Sequence, residues 1–229
     1  MKPFMGALAL AFVATTAGAQ VAGHLPENSP YRDLEASQEI SFFGGRYSAG
    51  QDALGVAPRS GPMYGLRYEV HVGGPAFLMV RFAHVNSERF PIDPTKSGAA
   101  AQLGRRNVSL NLFDANLVVS LTGEKSFHHI MPVINLGAGI ANCSCTVAPD
   151  PYSFGTPFAF SFGGGLRYVP GGRFQLRADW GDYLYQLKYP NAYFLTPTNG
   201  TAAAGIGQAK SFWKNNRALT LGASLLFFR

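Results

Sequence analysis

Residues 213–229 read WKNNRALTLGASLLFFR. Successive side chains of an extended strand point to opposite faces. Leu219, Leu221, Ala223, Leu225 and Phe227 therefore share one face, and Thr220, Gly222 and Ser224 share the other. A purely apolar face backed by small and polar residues suits a strand with hydrocarbon on one side and a packed polar interior on the other. The same two-residue alternation can be followed upstream to about Ser37, and it decides the fold.

Seven more strands follow from it, over residues 38–47, 62–72, 76–85, 107–121, 129–141, 156–169 and 173–186. Their outward faces carry Ile40 and Phe42, Leu66 and Val70, Leu78 and Phe82, Ile134 and Leu136, Phe160 and Leu166, and Phe174 and Leu176. In the fourth strand Val108, Leu110 and Leu112 share one parity and Ala115, Leu117, Val119 and Leu121 the other, which predicts a bulge near Phe113 and Asp114. The inward faces hold Arg67, Glu69, Arg81, Arg167, Arg177 and Asp179 among Gly, Ala and Ser. Charges removed from water need partners, and both signs are present, so these six predict a buried ion-pair network in a packed polar core rather than a proton or ion path. Tyr64, Tyr68, Tyr168 and Trp180 keep outward parity and are expected in aromatic girdles at membrane interfaces.

The connections alternate between short (73–75, 122–127, 170–172) and long (48–60, 86–106, 142–155, 187–212). That order belongs to an even-stranded barrel with short periplasmic turns and longer extracellular loops. A soluble barrel would turn its apolar face inward. The expected fold is all-β: an eight-stranded antiparallel up-and-down transmembrane β-barrel over residues 37–229. Eight strands enclose a tube that side chains fill, which disfavours a general diffusion pore.

Composition agrees. Charged residues make up 14% of the chain and aromatics 13%, where a water-soluble domain carries about 25% charged residues. The formal charge is +6, but the cations are scattered, which argues against nucleic acid as a partner. Residues 1–19 have the features of a secretory signal: Lys2, an apolar run from Phe4 to Ala14, and Ala17-Gly18-Ala19 before the cleavage expected after Ala19. The apolar run is well short of the ~20 residues a spanning helix needs. Residues 20–36 form an expected periplasmic segment, either a disordered tail or a fold under the barrel anchored by Tyr31 and Leu34. Cys143 and Cys145 are too far apart to bridge in an extended strand, so they are either a local loop staple or two free thiols. With no His or Cys nearby to complete a ligand set, no metal site is expected, and no cofactor or catalytic residue is assigned.

The final strand resembles the C-terminal signal that outer-membrane barrels present to their assembly machinery, through Thr220, Gly222, Leu225 and Phe227, with Phe228 and Arg229 added after the usual terminal aromatic. The chain as a whole resembles the small outer-membrane β-barrel family, of which the transmembrane domain of outer membrane protein A is the nearest in architecture. The resemblance rests on the strand count, the loop alternation, the Leu121-Thr122-Gly123 turn leading to Pro132 and the Gly137-x-Gly139 motif, and the terminal signal. It implies a bacterial outer-membrane location, a monomer, and contact with lipopolysaccharide. Arg59, Lys96, Arg105, Arg106, Lys210, Lys214 and Arg217 lie in or near the proposed outer loops, where lipid phosphates would be; the alternative reading is scattered surface charge. The expected role is non-enzymatic, in envelope integrity or surface interaction through the loops. One alternative is a lipid A-modifying deacylase or acyltransferase, for which His84, Ser87 and Glu88 would be the base, nucleophile and acid. His128 and His129 fall at a periplasmic turn, on the wrong side for that chemistry. The other alternative is a narrow channel or a carrier of a small apolar ligand, against which the filled tube argues.

Overall fold

A computed structural model describes residues 29–34, 37–196, 200, 202–204 and 207–227. The expected signal and its cleavage position lie outside the described residues, as do Phe228 and Arg229.

Ten strands form one antiparallel sheet: β1 (Tyr31–Asp33), β2 (Gln38–Ser48), β3 (Gly61–Gly73), β4 (Ala76–Arg89), β5 (Arg106–Ser120), β6 (Lys125–Phe127), β7 (Ile130–Ser144), β8 (Phe158–Tyr168), β9 (Phe174–Lys188) and β10 (Ser211–Phe227). Eight of them close a barrel in the order β2-β3-β4-β5-β7-β8-β9-β10. The seam is the long pairing of β10 with β2, from Arg217 opposite Ser48 to Phe227 opposite Gln38. Closure removes the free edges of the eight, so each wall strand pairs on both sides, as lipid requires.

The outward face is apolar over the middle of every wall strand. Phe42, Leu66, Phe82, Phe113, Leu136, Phe162, Leu176 and Leu221 are all exposed, and Phe174 reaches 70%. An uninterrupted belt of this kind is unsuited to water and suited to hydrocarbon. Toward the long loops the belt gives way, on the same outward parity, to Arg46, His84, Asn111, Asn142, Asn215 and Arg217. Tyr64 and Trp180 stand at that loop edge, beside His84 and Arg217 respectively. Tyr68 stacks on Phe227 and Tyr168 faces Ile130 nearer the short turns. The four aromatics thus border the belt on both sides.

The interior is layered. At the turn end Phe77, Met79, Val118, Met131 and Val133 form a small apolar cluster, and Leu34 packs against it. The predicted ionic layer comes next, with Glu39 and Asp114 added to the six expected residues. Arg67 and Arg177 flank Asp179 at 2.6 and 2.7 Å, Glu69 bridges Arg177 to Arg167, and Arg167 reaches Glu39 at 3.1 Å. Arg81 holds Asp114 at 3.1 Å. Glycine makes room for this layer: a Cβ on Gly165 would collide with the Asp179 carboxylate. Above it, Phe43, Tyr47, Met63, Val85, Leu110 and Tyr185 build a larger apolar and aromatic layer. Within it the hydroxyls of Tyr47 and Tyr185 hydrogen-bond each other at 2.7 Å.

That third layer corrects the reading of β5. No bulge occurs near Phe113: β5 pairs with both β4 and β7 in unbroken register. Val108, Leu110 and Leu112 point inward on the same parity as Asp114 and Asn116. The interior changes from ionic to apolar along the strand, so the polarity pattern inverts while the geometry does not.

The described residues before the barrel, 29–34, lie under it, and the rest of 20–36 lies outside the described residues. β1 pairs with β6, Tyr31 packs on Phe127 at 5.2 Å, and the Leu34 amide donates to the Glu124 carbonyl. Cys143 and Cys145 form a disulfide with Cα atoms 5.2 Å apart. That is closer than the ~6.6 Å between alternate residues of a strand, and it fits the end of β7 at Ser144. The local staple is the outcome.

Candidate functional site

The described parts of the long loops are held together by carboxylates. Asp150, in the loop after β7, pairs with Arg89 at the end of β4. It also accepts from the Tyr193 hydroxyl at 2.5 Å, the Tyr152 amide at 3.0 Å and the Ile92 amide at 3.2 Å. Arg89 donates to the Cys145 carbonyl as well and lies over the Tyr152 ring at 4.5 Å. One buried ion pair therefore joins segments from three loops. Burial pushes the Tyr193 phenol well above its ordinary range, and the neighbouring Asp150 adds to that. Tyr152 shifts the same way, chiefly through burial. Both phenols stay protonated at physiological pH, and the Tyr193 hydroxyl donates to Asp150. Asp52 organises the loop after β2: its oxygens take the Leu54 amide at 3.2 Å, the Ala57 amide at 2.6 Å and the Tyr189 hydroxyl. In the loop after β4, hydrogen bonds from Thr95 hold the Asp93 carboxyl below its usual value.

His84, Ser87 and Glu88 do not converge. Strand alternation puts His84 on the outer wall and Ser87 inside. The His84 ring nitrogens lie 2.7 Å from Asn111 Oδ1 and 3.1 Å from Asn86 Oδ1. Ser87 is buried and donates to the Arg59 carbonyl at 2.6 Å. Glu88 is paired with Arg105 at 2.5 Å. No base faces the serine, and the outer-rim triad of the deacylase reading is not assembled. Among the described residues no cluster of His, Cys, Asp and Glu is arranged to hold a metal.

The seven cations proposed for lipid phosphate separate into distinct groups. Lys96 and Arg105 are exposed but held by Asp93 and Glu88. Arg59 and Lys210 lie over the rings of Phe90 and Phe194, at 5.0 and 5.6 Å. Arg106 is exposed at the start of β5. Lys214 is the exception: it points into the tube and is 2% exposed, so it cannot meet lipid. Arg217 faces outward just above the belt, 3.6 Å from Asp182 and over the Trp180 ring at 5.7 Å. Its diagonal neighbour is Arg46, which sits opposite Leu219 and Pro62 and was not among the expected cations. The alternation of β2 marks Arg46 as outward, on the parity of Ile40 and Phe42. At the other end of β10, Thr220 and Gly222 face in and Leu225 faces out.

No protein-family model matches the sequence, and neither does any curated protein. Solved structures do match in fold. Neisserial surface protein A superposes with a TM-score of 0.53 at 10% identity, covering 83% of this chain and 97% of that one. The outer membrane protein OprG from Pseudomonas aeruginosa gives the same TM-score and identity, covering 85% of this chain and 98% of that one. At this identity the likeness speaks to architecture alone, and the closed eight-stranded wall with its apolar belt agrees with it. The chain has the fold of the small eight-stranded outer-membrane β-barrels.

Proposed function

We propose that this protein is a non-enzymatic, monomeric resident of the bacterial outer membrane. In this reading it is exported by its first 19 residues and handed to the barrel assembly machinery through Thr220, Gly222, Leu225 and Phe227. Its wall binds lipopolysaccharide, and its loops form a rigid outer platform. The observation that carries this reading is the outward pair Arg46 and Arg217, on adjacent strands at the loop edge of the apolar belt. Diagonal neighbours in a sheet lie about 7–8 Å apart, a separation one phosphorylated sugar can span. Cations at that depth meet the phosphates of lipid A while the belt below meets its acyl chains. The Asp150 hub supports the platform, because it presents the loops in one arrangement rather than as free tails.

The test uses the refolded barrel in neutral nanodiscs, titrated with lipopolysaccharide at low salt. Replacing both residues (Arg46→Glu with Arg217→Glu) should weaken binding by about tenfold or more, since steering by exposed charges is lost and reversed. Removing the lipid A phosphates should mimic the double variant, and raising salt toward 0.5 M should narrow the gap by screening (a Debye length of about 4 Å). Unchanged affinity in the double variant would refute the reading.

A further inference from the structure

Between the loop after β2 and the outer ends of β9 and β10 lies a cavity of about 610 Å³. That falls within the roughly 300–1,000 Å³ typical of small-molecule sites. Its lining combines Lys214, Arg59 and Asp52 with Tyr189 and Phe212. The two aromatic rings stack with centroids 4.9 Å apart and planes 30° off parallel.

Lys214 is the anomaly in this wall. It is 2% exposed, and its ammonium donates to the Pro58 carbonyl at 2.7 Å. An ammonium has three hydrogens to place, and among the described residues this one has no second acceptor. Asp52 lines the same cavity without forming an ion pair with it, and its oxygens are already engaged by Leu54, Ala57 and Tyr189. A buried charge with one neutral partner is costly. Every other buried cation here is better served: Arg67, Arg81, Arg89, Arg167 and Arg177 each touch a carboxylate. Arg59 brings a second cation to the same cavity, its backbone fixed where Ser87 donates to its carbonyl. Two cations face one carboxylate that already accepts three hydrogen bonds, leaving the site short of one negative charge.

We infer that this cavity binds a small organic anion, with its carboxylate or phosphate between Lys214 and Arg59 and its apolar body along Phe212 and Tyr189. Lys214 supplies the desolvated charge and Arg59 the reach toward the opening. The site lies inside the loop crown, away from the outer wall, so it does not depend on lipopolysaccharide binding.

The test is calorimetric titration of the full barrel, folded in zwitterionic micelles free of lipopolysaccharide. The probes are benzoate, phenyl phosphate, inorganic phosphate and benzyl alcohol. Saturable binding of benzoate or phenyl phosphate is expected, and which of the two binds tighter distinguishes a carboxylate site from a phosphate site. Inorganic phosphate should bind more weakly and benzyl alcohol not measurably. Lys214→Met and Arg59→Gln should each weaken the aromatic anion by about tenfold or more, while Arg105→Gln, outside the cavity, should not. The variant with both Arg46→Glu and Arg217→Glu should bind as the parent does, which separates this inference from the wall reading. Heat-modifiable gel migration checks folding. If Lys214→Met does not fold, Arg59→Gln, an exposed position, decides alone. Two results overturn the inference: no saturable anion binding by the parent barrel, or parental affinity in Arg59→Gln and in any folded Lys214→Met.

Discussion

Glu69 is the residue on which the ionic layer turns. It is 1% exposed and lies between two guanidiniums, those of Arg167 and Arg177. Each guanidinium has a second carboxylate, Glu39 for Arg167 and Asp179 for Arg177, so the layer is a continuous chain of alternating charge. Aromatic faces complete it: Arg67 lies over Phe43 and Arg167 over Phe77, both at 4.9 Å. Removing one link leaves its neighbours buried without their counter-charge, and that burial is costly. Glu69→Gln should destabilise the folded barrel by about 3–5 kcal/mol, the range for breaking one side of a buried pair. Glu88→Gln, which breaks the solvent-exposed pair with Arg105, should cost about 0–1 kcal/mol. Equilibrium urea unfolding in micelles, followed by tryptophan fluorescence, measures both. Equal costs would mean that the interior is wetter than its packing implies.

The hairpin joining β6 to β7 shows what an element demands of its residues. Phe127 pairs with Ile130, so His128 and His129 form a two-residue turn, with φ of 47° and 65°. Such a turn needs positive φ at both positions, which Asn and Gly accept and most residues resist. His129 recovers something through Nδ1, 2.9 Å from the Val169 carbonyl, whereas the His128 ring only packs edge-on against Phe127 at 4.5 Å. His128→Gly should therefore raise stability by about 0.5–1 kcal/mol, net of the lost ring contact, and His129→Gly should gain less. The same urea titration reads both, and a loss on His128→Gly would mean that the ring contact outweighs the strain. A different lesson comes from the loops. Asp150→Ala should leave the barrel intact on heat-modifiable gels but open the crown, because Arg89, Tyr193 and the amides of Ile92 and Tyr152 lose their common acceptor. Limited proteolysis of folded protein should then cut between residues 90 and 105 or between 145 and 157, where the parent resists. No periodicity announces such a contact, since Asp150 meets Arg89 only after the wall has closed.

At the scale of the molecule, the tube is a stack of three stoppers: an apolar cluster at the turns, an ionic middle and an aromatic top. The outward residues were legible in the sequence because hydrocarbon imposes one polarity on all of them, and the strand order followed from that. The inward residues were legible only where the interior is ionic. Val108, Leu110 and Leu112 carry the polarity of a wall exterior, and their place in the aromatic stopper shows only once β5 is seen to pair without a shift. Lys214 shares the inward parity of Asn216 and Thr220, so its burial was written in β10. The cavity around it was not, because the loop residues that line it follow no period. The three stoppers lead to a functional expectation. An ion crossing the barrel would have to part the Arg67–Asp179–Arg177–Glu69–Arg167 chain and then pass the fully buried Tyr47, Leu110 and Tyr185. The barrel should show no resolvable single-channel conductance in planar bilayers. Truncating one layer should not change that while the other holds: Leu110→Ala alone leaves the ionic chain in place, and Glu69→Gln alone leaves the aromatic layer. The combined variant of Leu110→Ala, Tyr185→Ala and Glu69→Gln, if it folds, should admit brief small-ion openings, because both upper layers are then breached at once. Steady conductance from the parent barrel would show that the layers move aside on their own, and the narrow-channel reading would replace the closed one.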